Sequence, residues 1–249
     1  MRRLRFLLAM TFAALPLLAQ QSAVISGGGL QNINNPLDSA SNHQPFEYGV
    51  VFQGGNGLTD NRNGFHFLQA GVHAGRVLTD NVGSGFFRGN FEYAVEIFPY
   101  FEAFTPYFQR VSCTQSASGG VITCSQPYTV GGTFHGVTIT PIILRYNFAR
   151  HGKFTPWAQA AGGLLYTTHK FPSYGNTDVT NFTENGPNGE TSVWNFTPQG
   201  GVGFHYFTRP NRSIDFSATG EHISSASLGD RNPGVNASVQ FTIGYTWWK

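Results

Sequence analysis

Within GEHISSASLG, residues 220–229, a histidine and a serine stand two positions apart. A strand sends side chains i and i+2 to the same face, so His222 and Ser224 are neighbours if this stretch is extended. A serine hydroxyl is a weak nucleophile until a neighbouring base accepts its proton, and an imidazole on the same face is such a base. The chemistry this pairing spells is ester or amide hydrolysis through an acyl-serine. An H-x-S tripeptide is a short pattern, and no other catalytic motif accompanies it: there is no G-x-S-x-G turn, no H-E-x-x-H and no phosphate loop. The remaining histidines are scattered without ligand spacing, so neither a metal nor a cofactor is expected.

The elements that must carry the pair show a period of two. Eight segments alternate, at 46–53, 66–75, 86–98, 133–148, 154–167, 193–207, 213–224 and 235–248. In the third, Phe87, Phe91, Tyr93, Val95 and Ile97 oppose Arg88, Asn90, Glu92 and Glu96; in the sixth, Trp194, Phe196, Val202, Phe204 and Tyr206 oppose Asn195, Thr197, Gln199 and His205. One face is aromatic and the other polar, the reverse of a water-soluble barrel. The second, fourth and sixth connections are short (TDNVGSG, RHG, RPNR) and the others longer, as in barrels with short periplasmic turns and long outer loops. The sequence therefore predicts an all-β fold, an eight-stranded antiparallel transmembrane β-barrel of the outer membrane. Eight strands leave an interior that side chains fill, so Glu47, Arg88, Glu92, Glu96, Arg145, Asp215 and Glu221 are expected to form a paired plug, which disfavours a channel. In the seventh segment Ile214, Phe216, Ala218, Gly220, His222 and Ser224 share the apolar phase, so the pair should face lipid near an outer loop.

Composition agrees. Charged residues make up 11% of the chain, against about 25% in soluble domains. Residues 1–20, MRRLRFLLAMTFAALPLLAQ, read as a secretory signal peptide, 21–45 as a flexible periplasmic leader, and 46–249 as the barrel. Without Arg2, Arg3 and Arg5 the basic residues number 12 against 13 acidic ones, so no nucleic-acid partner is expected. Cys113 and Cys124 lie in a polar stretch of an exported chain, where a disulfide pinning one loop is expected.

His222-Ile223-Ser224, a short loop, and then Asn232-Pro233-Gly234 entering an aromatic last strand resemble the C-terminal signature of the outer-membrane lipid A 3-O-deacylase family (PagL type). RGNFEYAVEIFPYF, 88–101, is similar to an earlier strand of that family. The resemblance spans roughly 46–249 and implies an outer-membrane esterase whose partner is lipid A of lipopolysaccharide in the outer leaflet. It implies Ser224 as nucleophile and His222 as general base. The family's histidine-orienting glutamate corresponds to Asn236 here, in the lumenal phase, so its side chain reaches His222 through a bulge or a loop conformation; Asp230 remains a loop alternative, and Glu221 faces the other way. Ser225 stands where the family has asparagine. The oxyanion is then held either by backbone N–H groups, as at Ser225 and Ala226, or less well for want of that amide. The alternative is a non-catalytic structural or adhesive barrel that retains the H-x-S pair.

Overall fold

A strand in hydrocarbon has no water to satisfy its N–H and C=O groups, so every edge must pair, and closure into a barrel achieves this. The computed structural model describes residues 35–38, 40, 44–59, 62–111, 113–115, 120–150, 152–170, 192–226 and 236–249. The expected signal peptide and the first part of the leader lie outside the described residues.

The elements are β1 (Phe46–Gly57), β2 (His66–Val77), β3 (Gly89–Arg110), β4 (Cys113–Gln115), β5 (Ile122–Cys124), β6 (Tyr128–Phe148), β7 (Phe154–Thr167), β8 (Trp194–Arg209), β9 (Arg212–His222) and β10 (Ala237–Trp248). Eight of them close a barrel in the order β1-β10-β9-β8-β7-β6-β3-β2. All pairs are antiparallel, and β1 closes on β10 from Glu47 opposite Trp248 to Gly57 opposite Ser238. The pair β4–β5 forms a separate ribbon that places Cys113 opposite Cys124. With 22 and 21 residues, β3 and β6 are about twice as long as a membrane crossing needs and carry this ribbon beyond the other strands.

The third segment begins later than its alternation suggested. Gly85–Phe87 is a single 3-10 turn, and Arg88 does not join the lumenal plug but pairs with Asp38 at 2.7 Å, half-exposed at the periplasmic end. The described end of the leader packs there as well: Leu37 and Ala40 are fully buried in a cluster with Val77, Phe207 and Trp248, and the Leu37 carbonyl accepts from the Asn90 side chain at 2.9 Å.

Aromatic residues line the outside, as hydrocarbon requires. Tyr48 stacks on Trp247 with centroids 5.7 Å apart, and Lys249 sets its ammonium 5.3 Å from the Tyr48 ring, which accounts for a lysine closing an aromatic tail.

The lumen is layered. At its centre Arg145 donates to Glu47 at 3.0 Å and Glu92 at 2.9 Å, lies over Trp157 at 4.6 Å and donates through Nε to Gln159 at 3.2 Å. Asp215 accepts from Ser213 at 2.7 Å, from Thr246 and from His205 Nδ1 at 2.8 Å. A cavity of about 30 Å³ within this network is lined in part by His73, Glu96, Arg145, His205 and Asp215. Toward the outer loops the lumen turns apolar: Phe65, Phe67, Phe101, Ala103, Phe134, Leu165 and Ile223 form one buried cluster.

Candidate active site

The strand that carries the histidine and serine alternates strictly. Ser213, Thr219 and Glu221 are buried on the inward phase, and Ile223, next in that phase, is 1% exposed within the apolar outer layer. His222 and Ser224 flank it and therefore project from the opposite face, both half-buried. The anchoring of Ile223 in the lumen is what turns its two neighbours toward lipid.

Ladder bonds hold this turn of chain. β9 pairs with β10 up to His222 opposite Ala237, and beyond the end of β9 an isolated bridge links Ser224 to Phe196 of β8, with N–H to O distances of 2.9 and 2.6 Å. Ser224 is thus fixed by backbone on the β8 side while His222 is fixed on the β10 side.

His222 Nδ1 lies 3.0 Å from the main-chain carbonyl oxygen of Asn236. A carbonyl only accepts, so Nδ1 carries the proton and Nε2 presents a lone pair. The same oxygen accepts the Ile223 N–H at 3.0 Å. The orienting contact from Asn236 therefore comes from its backbone. Its side chain is 1% exposed and directed into the lumen, with Oδ1 and Nδ2 lacking a hydrogen-bond partner among the described residues. The lumenal phase read from the alternation holds; the described β9–β10 register runs without a bulge from Ala237 opposite His222 onward.

The two residues after the serine behave differently. Ser225 is fully buried, and its hydroxyl has no partner among the described residues. Ala226 adopts a left-handed φ of 47°, and its N–H donates to Ser224 Oγ at 3.2 Å. That amide already stands at the Ser224 hydroxyl oxygen. Glu221 is buried on the lumenal face, away from His222; Asp230 and the Asn232-Pro233-Gly234 turn lie outside the described residues. Composition gave no signal for the Asn236 carbonyl or for Thr59, whose hydroxyl accepts the Ala237 N–H at 3.2 Å and ties the first outer loop to the site.

The family model for lipid A 3-O-deacylase (PagL) matches residues 114–246, a range that contains His222, Ser224 and Asn236. This chain belongs to the PagL family. It is a bacterial outer-membrane β-barrel with lipid A deacylase-like function. No curated protein matches it. Among solved structures, the N-terminal β-barrel domain of Pseudomonas aeruginosa OprF is 12% identical, covering 81% of this chain and 97% of its own, with a TM-score of 0.40. The outer-membrane enzyme PagL is 12% identical over 80% and 98%, TM-score 0.39. Ail, the attachment invasion locus protein of Yersinia pestis, is 12% identical over 83% and 97%, TM-score 0.39.

Proposed function

We propose that this PagL-family barrel is an esterase that removes the acyl chain esterified at position 3 of lipid A, at its lipid-facing wall, with Ser224 as nucleophile and His222 as general base. The observation that carries the reading is orientation: Ile223 faces inward, so the imidazole and the hydroxyl share the outer face, where an acyl ester in the outer leaflet can reach them. The Asn236 carbonyl holds Nδ1–H and leaves Nε2 to take the hydroxyl proton.

The Ser224 hydroxyl loses its proton to His222 Nε2 as Oγ bonds to the ester carbon. The tetrahedral intermediate collapses by breaking the bond to the sugar oxygen, which leaves as a hydroxyl with the proton from the imidazolium. Water, deprotonated by the same imidazole, then adds to the acyl-serine; the bond from the acyl carbon to Oγ breaks, the imidazolium returns its proton to Oγ, and the fatty acid is released. The Ser225 and Ala226 N–H groups are the oxyanion donors, a contribution on the order of 100-fold or more per donor in other acyl-transfer sites. No negative charge stands behind the imidazole in this scheme; a carbonyl dipole takes that role.

The Cys113–Cys124 register supports a disulfide that pins the outer ribbon, away from the chemistry. The test of function is expression of wild type and Ser224→Ala in a Gram-negative host whose lipid A carries the 3-O ester, with lipid A read by mass spectrometry. Wild type is expected to remove one hydroxyacyl chain and the alanine variant to lose at least about 1,000-fold of that activity. Unchanged lipid A in both, with the barrels correctly inserted, overturns the esterase reading and leaves the structural or adhesive one.

A further inference from the structure

The lumenal charges do not balance. A single guanidinium, that of Arg145, serves Glu47 Oε1 and Glu92 Oε1 together through Nη1, and Glu96 and Asp215 line the same lumenal cavity. Four carboxylates stand against one guanidinium, and a buried charge is tolerated only when it is paired or bound to a metal. Glu47 Oε2, which lies 4.0 Å from His73 Nε2, and His205 Nε2 are also buried without a hydrogen-bond partner among the described residues.

These atoms converge. Glu47, Glu92 and His205, each at most 1% exposed, present ligand atoms that all lie within 4.8 Å of one another. His205 Nδ1 is occupied by Asp215 Oδ1 at 2.8 Å, so the ring is turned with Nε2 toward the two glutamates. A carboxylate behind one ring nitrogen and a free lone pair on the other is the arrangement that fixes a metal-binding imidazole. Gly75 keeps the space clear, because a Cβ there would stand 2.9 Å from Oε1 of both Glu47 and Glu92.

We propose that the lumen binds one divalent first-row metal ion of the zinc class through Glu47, Glu92 and His205, with Asp215 orienting the imidazole. The donor set is two oxygens and one imidazole nitrogen, which suits zinc rather than calcium or magnesium, since those take oxygen ligands. A divalent ion offsets this excess of carboxylates. Arg145 stays in place beside it, because Trp157 and Gln159 hold its guanidinium independently of the carboxylates. A bond length of about 2.0–2.2 Å requires the three side chains to close inward around the ion. The adjoining cavity of about 30 Å³ has room for a water to complete the shell. The ion would bolt β1, β3 and β8 together across the barrel. No ligand spacing announced it in the sequence because each ligand comes from a different strand. The inference rests on the fold and not on the esterase reading.

The full-length barrel is refolded in chelator-treated buffer, given excess zinc, passed through metal-free buffer and measured by elemental analysis. About one zinc per chain and a higher thermal midpoint are expected, and His205→Gln should fall to background while keeping the heat-modifiable gel mobility of a folded barrel. His135→Gln, which alters an exposed histidine near Glu102, should retain the ion. Background zinc in folded wild type, or equal retention in His205→Gln, overturns the site. Should His205→Gln fail to fold, cobalt in the wild-type barrel decides: visible d–d bands displaced by zinc support the site, and their absence overturns it.

Discussion

At the scale of the residue, identity and position separate at Asn236. Its main-chain carbonyl holds His222 Nδ1, and its amide side chain is buried in the lumen. Asn236→Ala is therefore expected to keep deacylation within about threefold of wild type, whereas His222→Ala loses activity on the scale of Ser224→Ala. Asn236→Glu, which would supply the carboxylate that the family resemblance implies, puts that carboxylate beside Glu221, since Ser238, the next inward residue of β10, is Glu221's register partner. It should lower barrel stability in urea without raising the rate of lipid A deacylation. The sequence disclosed that His222 and Ser224 share a lipid-facing phase, because side-chain alternation is written in residue type. It did not disclose what holds the imidazole, because a carbonyl oxygen is common to every residue.

At the scale of the element, the end of β9 and the chain just beyond it place the site by burying Ile223. Ile223→Ala should cost roughly 2–4 kcal/mol of unfolding free energy. It should also reduce deacylation by more than the stability loss explains, because the residue that fixes the outward turn of its neighbours is loosened. Urea titration of the refolded barrel and lipid A turnover measured on the same sample separate the two effects. The strands were legible in outline from their alternation, but their ends were not. Arg88 carries a charge in the phase of Glu92, yet it lies just before β3 begins and finds Asp38 instead of the plug. The upper halves of β3 and β6 extend past the bilayer, where apolar contrast no longer marks a strand. The alternation does not mark the inward Leu165 and Ile223 as core, because the outer end of the lumen is sealed by apolar side chains where the charged plug does not reach.

At the scale of the whole molecule, the lumen is stoppered above by the Phe67, Phe101 and Ile223 layer, crossed by the Arg145 network, and closed below by Leu37, Phe207 and Trp248. Reconstitution in planar bilayers should yield no steady conductance steps, and frequent open events would contradict the packing described. Arg145→Ala strands two buried carboxylates and should destabilise the barrel by roughly 3–5 kcal/mol, read as a lower midpoint in thermal gel-shift assays. One further consequence follows from the carbonyl of Asn236, which serves the Ile223 amide and the His222 ring at once. On the esterase reading, a nascent copy in transit across the periplasm, whose closing hairpin has yet to zip, possesses both reactive side chains but no aligned base. Such a copy is born inert and acquires its chemistry only on reaching the bilayer that contains its substrate.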